Sequence, residues 1–265
     1  MCFLGWNISS RQRSIKLRST DVSKGCAPHY AVTIGDAIGD LKRFHWYAPC
    51  SHDADIAPDK DPHDNIPKVK VDAQKRIIGY TDVARAYEWE PRNAFQAAAR
   101  RNGKVHDMQH YTRVYEAENS KCVVNIPMLP NADARHLSRN YHTYMLHNPI
   151  SANAQGGYNK AYFGRLDEKG IFMTVSTNIG PKAKQSRCLN PWCRRLVTVR
   201  ELARAQGFPD SFVFKSVKGE YDVETMHKQI GNALAWPVAV ALGRELRHAM
   251  LKDWIRKRED AIVID

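Results

Sequence analysis

The chain has 265 residues, 43% of them apolar, which suffices for one large domain or two small ones with a buried core. Its net charge of +12 leaves two interpretations open: a polyanionic partner such as nucleic acid, or a basic protein with a solvated surface. No apolar run reaches the length of a membrane span, and six cysteines without a CxxC spacing indicate reduced intracellular thiols.

The first part of the chain predicts three elements. The alternation in RSIKLR, residues 13–18, favours a strand. VTIGDAIGDLKRF has helical spacing, and Thr33 can cap the helix with Asp36 in its first turn. Residues 48–68 contain four prolines among many charges, which predicts a surface loop.

Residues 69–190 mix short pieces with frequent turn residues. CVVNI and IFMTVST are rich in β-branched residues and indicate strands, and glycines punctuate the region. No internal repeat is present. We therefore expect an irregular α+β region.

LVTVRELARAQGFPD carries the best-specified helix, over residues 198–206. Thr198 and Glu201 stand three apart, so that each side chain can accept a hydrogen bond from the backbone N–H of the other. Gly207 can end the helix in the left-handed conformation, and Pro209 prevents its continuation.

HKQIGNALAWPVAVALG predicts a second helix that begins between Ala233 and Trp236. Pro237 is tolerated in its first turn, because the first amides of a helix have no internal partner. Its predicted buried stripe is Val238, Leu242, Leu246, Ala249 and Met250. Gly231 allows a backbone conformation closed to other residues, and Asn232 would place its side-chain amide beside free helix N–H groups. Such a pair is either a capped turn or a place for a ligand's polar atoms.

VRELARAQGFPD followed by KQIGNALAWPVAVALG resembles the two closing signatures of DNA (cytosine-5) methyltransferases. YFGRLDEKGIFMTVSTNIGPKAKQSRCLNPWCRRLV resembles the end of the target-recognition domain in maintenance-type eukaryotic enzymes and their fungal relatives. VTIGDAIGDLKRFHW, EPRNAFQ, QHYTR and VVNIP resemble earlier parts of that domain. The resemblance covers nearly the whole chain.

The resemblance implies an α/β fold: an incomplete Rossmann-like, S-adenosylmethionine-dependent methyltransferase domain with an irregular α+β target-recognition domain. Residues 1–20 would be a catalytic-domain remnant with an RxR strand. Residues 21–216 would be the target-recognition domain, and residues 217–265 the closing part of the catalytic domain.

The resemblance also assigns site residues. The cofactor S-adenosyl-L-methionine would contact Gly231, Asn232 and Leu234. Double-stranded DNA would be contacted by the loop that holds Lys182, Lys184, Gln185 and Arg187, whose side chains suit phosphates and base edges; the alternative is a solvated basic loop.

Two pairs of residues have contrasting roles. Arg11 and Arg13 in SSRQR resemble the catalytic QxRxR signature that supports a flipped cytosine, although Ser9 replaces its usual Gln. Arg200 and Glu201 are expected to be structural, because the helix that carries them resembles one that braces the recognition domain.

Methylation of cytosine C5 requires a thiolate nucleophile and a carboxylic acid. Pro49-Cys50-Ser51 and Glu118-Asn119-Ser120 resemble the family's loop and strand for these groups, but both follow the RxR match and are interpreted as chance matches. The spacing of Cys26, His29, Cys50 and His52 fits no common zinc template, so we expect no metal.

We therefore expect a nuclear fragment of a methyltransferase, inactive alone, whose partners are DNA and the missing N-terminal half of the catalytic domain. Two alternatives stay open: a non-catalytic DNA-binding module, and a basic scaffold for protein contacts.

Overall fold

The computed structural model describes residues 31–46, 65–101, 105–138, 141, 150, 155, 162–183 and 187–262. Packing divides the chain into one unit, Val32–Ala233, and a second that includes Leu234–Asp265. The first unit mixes short helices and strands, as expected for an α/β protein. The predicted strand at 13–18 and most of the predicted loop at 48–68 lie outside the described residues.

The two helices with the clearest caps form as predicted. Helix α1 is Ile34–Ile38, and the side chains and backbone of Thr33 and Asp36 form both hydrogen bonds of a capping box. Helix α5 is Val199–Ala205, with the same reciprocal bonds between Thr198 and Glu201.

The described strands form two small sheets. Strands β1 (His45–Trp46) and β2 (Lys68–Val69) are parallel, so Lys68, predicted as the end of a loop, lies in a strand. Strands β3 (Ile77–Tyr80) and β4 (His110–Arg113) are antiparallel. Helices α2 (Val83–Ala86) and α3 (Ala94–Arg100) lie between β3 and β4 in the sequence.

The two segments predicted as strands from their β-branched residues are not strands. CVVNI lies in and directly after helix α4, Ala117–Asn125, where Cys122, Val123 and Val124 are buried. IFMTVST, residues 171–177, has no regular secondary structure. β-Propensity measures the fit to a half-buried pleated surface. Helical packing overrides it in CVVNI, whereas IFMTVST has no strand partner among the described residues, with Ile171 and Met173 exposed.

Buried arginines organise the core around α5. The guanidinium of Arg204 contacts Asp40 and donates to Asp210 at 2.9 and 2.6 Å, with all three side chains fully buried. Arg195 and Glu201 form a bidentate pair at 2.8 and 2.9 Å. Burial alone would raise the pKa of Glu201, but the Arg195 guanidinium keeps it below its usual value.

The last two helices are α6 (Val223–Asn232) and α7 (Trp236–Ile262). Helix α7 begins at the predicted place, with Pro237 in its first turn. Its predicted buried stripe is wrong, however, because Leu242, Leu246 and Met250 are exposed by 58%, 61% and 64%. Amphipathic spacing identifies which side chains can be buried together and says nothing about what covers them. Among the described residues, no helix combines the length and apolarity that crossing a membrane would require.

Candidate nucleic-acid interface

The candidate interface is the basic loop, defined as Lys182 to Arg187, whose two ends meet at one carbonyl group. The carbonyl oxygen of Gly180 accepts hydrogen bonds from the Ala183 N–H at 3.0 Å and from the Cys188 thiol at 3.1 Å. The carbonyl of Pro181, the residue directly before the loop, accepts a hydrogen bond from the Phe163 N–H at 2.7 Å. The loop therefore emerges from a narrow, hydrogen-bonded base.

The Cys188 thiol belongs to this base and is not a nucleophile. Burial raises its pKa to about 12, so it stays protonated and able to donate to Gly180. Cys122, Cys188 and Cys193 are all buried free thiols. They agree with the expectation of reduced cysteines for the described part of the chain.

Arg187 closes the other end of the loop. Its Nη1 donates to the Asn131 carbonyl at 2.7 Å, and its Nη2 lies 3.9 Å from Asp133 Oδ2. Gly164 makes room for this side chain, since a Cβ at that position would lie 2.7 Å from Arg187 Cγ. Part of the guanidinium is thus committed to the protein, and contact of Arg187 with DNA stays a prediction.

Lys182 is half-buried at the start of the loop. It forms no ion pair with any other residue that the structure describes, and contact of its ammonium group with a DNA phosphate stays a prediction. Lys184 and Gln185 lie outside the described residues, and so do Arg11 and Arg13.

The Gly231-Asn232 pair differs from the expected turn. Both residues are the last of helix α6, and Asn232 therefore lies at the carbonyl end of that helix. Gln206 Nε2 donates there to the carbonyls of Ile230 and Ala233 at 3.2 and 3.3 Å. A capped turn and a helix end are locally similar in sequence, because glycine and asparagine are common in both.

Gly231 is needed for close packing rather than for an unusual backbone angle. Its φ angle is not positive. A Cβ at this position would lie 2.7 Å from the Ser176 carbonyl oxygen and 2.8 Å from the Thr177 nitrogen. Asn232 is exposed, and the side chain of Leu234, in the other unit, is 52% exposed. Asn232 and Leu234 are therefore each accessible to a ligand, whereas the α-carbon of Gly231 faces protein backbone.

Helix α5 braces the unit and carries no accessible polar site. Arg200 is fully buried and donates to the carbonyls of Met108, Pro209 and Phe212 at 2.9, 3.1 and 2.8 Å. Glu201 is likewise committed to Arg195 and the Thr198 cap. These contacts agree with the structural roles predicted for both residues.

Of the two chance matches to the nucleophile loop and the acidic strand, only the second lies among the described residues. Glu118-Asn119-Ser120 lies in the first half of α4, with Glu118 exposed, so it is not the acidic strand that it resembles. Cys50, and with it the set Cys26, His29 and His52, lies outside the described residues. In the part of the chain that the structure describes, no three His, Cys, Asp or Glu side chains cluster as metal ligands.

The residues at the loop base were not predicted from the sequence. Arg113 donates from Nη2 to the Ile179 carbonyl at 3.0 Å, and Cys188 donates to Gly180. Arg113 lies in QHYTR, whose resemblance places it in the recognition domain but assigns it no partner. Such long-range contacts have no local sequence signal.

Comparison with known proteins gives the family. The model of the C-5 cytosine-specific DNA methylases matches residues 52–248, a range that contains the basic loop and both closing signatures. The range begins after Arg11 and Arg13.

Individual relatives carry the same description. The chain is 30% identical to DNA (cytosine-5)-methyltransferase 1B of Oryza sativa subsp. japonica over 237 residues, 85% of this chain and 13% of the relative. It is 38% identical to DNA (cytosine-5)-methyltransferase 3 of Arabidopsis thaliana over 133 residues, 47% of this chain and 9% of the relative. It is 44% identical to DNA (cytosine-5)-methyltransferase 1 of Mus musculus over 89 residues, 34% of this chain and 5% of the relative. The chain thus spans 13% or less of the length of these three relatives. It belongs to the family of C-5 cytosine-specific DNA methylases.

Proposed function

We propose that the chain is the C-terminal portion of a maintenance-type DNA (cytosine-5) methyltransferase and supplies target recognition and part of the cofactor pocket. The observation that carries the proposal is the basic loop on its hydrogen-bonded base, inside the range that matches the family. Because Lys182 directly follows this base, its backbone needs little further ordering to contact a phosphate, which lowers the entropic cost of binding.

S-adenosyl-L-methionine would supply the electrophilic methyl group, and two residues of this chain fit its binding. The side-chain amide of Asn232 is exposed and can exchange hydrogen bonds with a polar ligand. The exposed side chain of Leu234 can pack against an apolar or aromatic face. Gly231 would contribute through the packing of α6, and Arg11 and Arg13 would support the flipped cytosine.

The remaining parts of the proposal follow from the order of motifs. Residues 1–20 and 217–265 would belong to the Rossmann-like catalytic domain and residues 21–216 to the target-recognition domain. The nucleophile and acid would come from an N-terminal half of the catalytic domain, and the DNA substrate would place the protein in the nucleus.

A methyl-transfer assay tests whether the nucleophile and acid lie outside this chain. With labelled S-adenosylmethionine, and hemimethylated or unmethylated duplex, we expect no turnover from the chain alone. Turnover that disappears in Cys50→Ser would contradict the proposal, because Cys50 would then be the nucleophile.

Equilibrium binding tests the cofactor role separately. Calorimetric titration with S-adenosylmethionine should show weaker binding for Asn232→Ala than for wild type, whereas Arg256→Ala on α7 should bind as wild type does. Equal affinity in Asn232→Ala would remove Asn232 from the pocket. Duplex binding that weakens steeply with salt distinguishes a DNA-binding chain from a protein scaffold.

A further inference from the structure

The segment before the basic loop is held by contacts that the family resemblance does not assign. Gly231 of α6 lies against the backbone of Ser176 and Thr177, where a Cβ would come within 2.8 Å of three backbone atoms. Contacts between heavy atoms at that distance are not tolerated, so any side chain at position 231 must move either α6 or the segment.

Arg113, at the end of β4, holds the same segment two residues further along. Its Nη2 donates to the Ile179 carbonyl, and a Cβ on Gly180 would lie 2.9 Å from that Nη2. The Gly180 carbonyl in turn holds the loop base through Cys188. Contacts from α6, β4 and the loop base thus fix residues 176–180, which are separated from Lys182 by Pro181 alone.

The face of α6 that makes the first contact is itself fixed. His227, one turn before Gly231, is buried, and burial with the nearby Arg113 charge lowers its pKa to about 3. Helix α6 also packs against α5 and β4. Because α6 is anchored on these sides, a clash at position 231 falls on residues 176–180 more readily than on the helix.

We infer that Gly231 is a positioning residue for DNA recognition, which sets the place of Lys182 through the backbone of Ser176–Gly180. The inference rests on the proposed function, since it takes Lys182 to contact DNA. It gives the helix that ends in the proposed cofactor residue Asn232 a second task, that of supporting the loop that reads the target.

The test compares glycine variants of the full chain in duplex DNA binding across a salt series. Gly231→Ala should weaken binding and make the plot of log K against log [salt] shallower by about 0.9 for each DNA phosphate that the variant no longer neutralises. Gly243→Ala is the matched control, because it adds the same methyl group within α7 where nothing lies within 4 Å. It should bind DNA as wild type does.

A double-mutant cycle separates positioning from a loss of stability. If Gly231 acts through Lys182, the double variant Gly231→Ala/Lys182→Ala should bind no more weakly than the weaker single variant. A merely destabilising change would instead add its effect to that of Lys182→Ala. Additive effects would overturn the inference.

Gly180→Ala provides a gentler second variant should Gly231→Ala fail to fold. Its Cβ meets the flexible end of the Arg113 side chain rather than backbone, so the fold should persist while the bond to Ile179 is displaced. The same reduction of the salt slope, again absent on a Lys182→Ala background, is expected. If wild type binds DNA in a way that depends on salt and on Lys182, and both glycine variants bind in the same way, the inference is refuted and the proposed function stands. If wild-type binding does not depend on salt or is unchanged in Lys182→Ala, the proposed function is refuted.

Discussion

Helices α5 and α7 are both specified clearly by the sequence, yet their surroundings are opposite. All seven residues of α5 are buried, and its two arginines, Arg200 and Arg204, donate to residues distant in the chain. The 27 residues of α7 include an apolar series, Leu242, Leu246 and Met250, that is more than half exposed. Local signals determine where a helix begins and ends, whereas burial depends on which partners the rest of the chain brings to it.

The largest effect should come from Arg204, at the centre of the α5 contacts. Arg204→Met leaves Asp40 and Asp210 buried with fewer partners, so the free energy of unfolding should fall by about 3–5 kcal/mol in denaturant titration. Arg247→Met makes the same change on the exposed α7 and should cost less than about 0.5 kcal/mol. Similar losses of unfolding free energy in Arg204→Met and Arg247→Met would contradict the contrast between buried α5 and exposed α7.

The pH dependence of stability should follow the buried histidines of the first unit. Burial lowers the pKa of His110 to about 4 and that of His227 to about 3, below the unfolded value of about 6.5. The unfolded chain therefore binds more protons between these values, and stability should fall as the pH drops from about 6.5 towards 4, with a maximum slope of about 1.4 kcal/mol per pH unit for each histidine.

His227→Leu should reduce this slope, because it removes one of the two buried histidines. The Nε2 of His227 has no hydrogen-bond partner among the described residues, so the substitution breaks no hydrogen bond of that atom. His248→Leu makes the same replacement on the exposed face of α7 and is the matched control for the substitution itself. Thermal unfolding at several pH values measures both. An unchanged slope in His227→Leu would contradict the burial of that histidine.

The cap of α5 should contribute less than its buried ion pairs. Thr198→Ala removes the acceptor for the Glu201 N–H and a 3.0 Å contact with His110 Nδ1, so it should cost about 1–2 kcal/mol. Thr33→Ala at the partly buried cap of α1 should cost about 1 kcal/mol. A larger cost at Thr33 than at Thr198 in urea unfolding would show that burial does not strengthen the cap.

The smallest effect should come from the exposed face of α7. Leu246→Gln should change the free energy of unfolding by less than about 0.5 kcal/mol, because the side chain is already 61% exposed. Leu202→Gln, in buried α5, should cost several times as much. A decrease of about 2 kcal/mol or more in Leu246→Gln would mean that this face is covered in solution.

The sequence predicted the elements whose signals are local. The caps at Thr33 and Thr198 and the start of α7 at Pro237 are confirmed, because each depends on residues within one or two turns. The prediction of a strand for CVVNI is wrong, because its burial in helix α4 outweighs its β-propensity. The Gly231 contact with Ser176 could not be predicted, since it joins residues 55 positions apart that share no spacing pattern.

The same division holds for the candidate site. The resemblance selected the segment from Lys182 to Arg187, and the structure adds the base on which it stands. That base depends on a buried thiol, on Arg113 of strand β4 and on the Arg187 side chain itself. No local sequence pattern distinguishes this cysteine from an ordinary core cysteine, or these two arginines from ordinary surface arginines.

Duplex DNA binding measured against salt concentration tests the central claim, that the basic loop presents Lys182 to DNA, most directly. We predict that the affinity of wild type falls steeply with salt and that Lys182→Ala makes the logarithmic slope shallower by about 0.9, the share of one phosphate contact. Lys252→Ala removes the same charge from α7 and should leave the slope at its wild-type value. Affinity that does not respond to salt, or equal slopes in wild type and Lys182→Ala, would contradict the account.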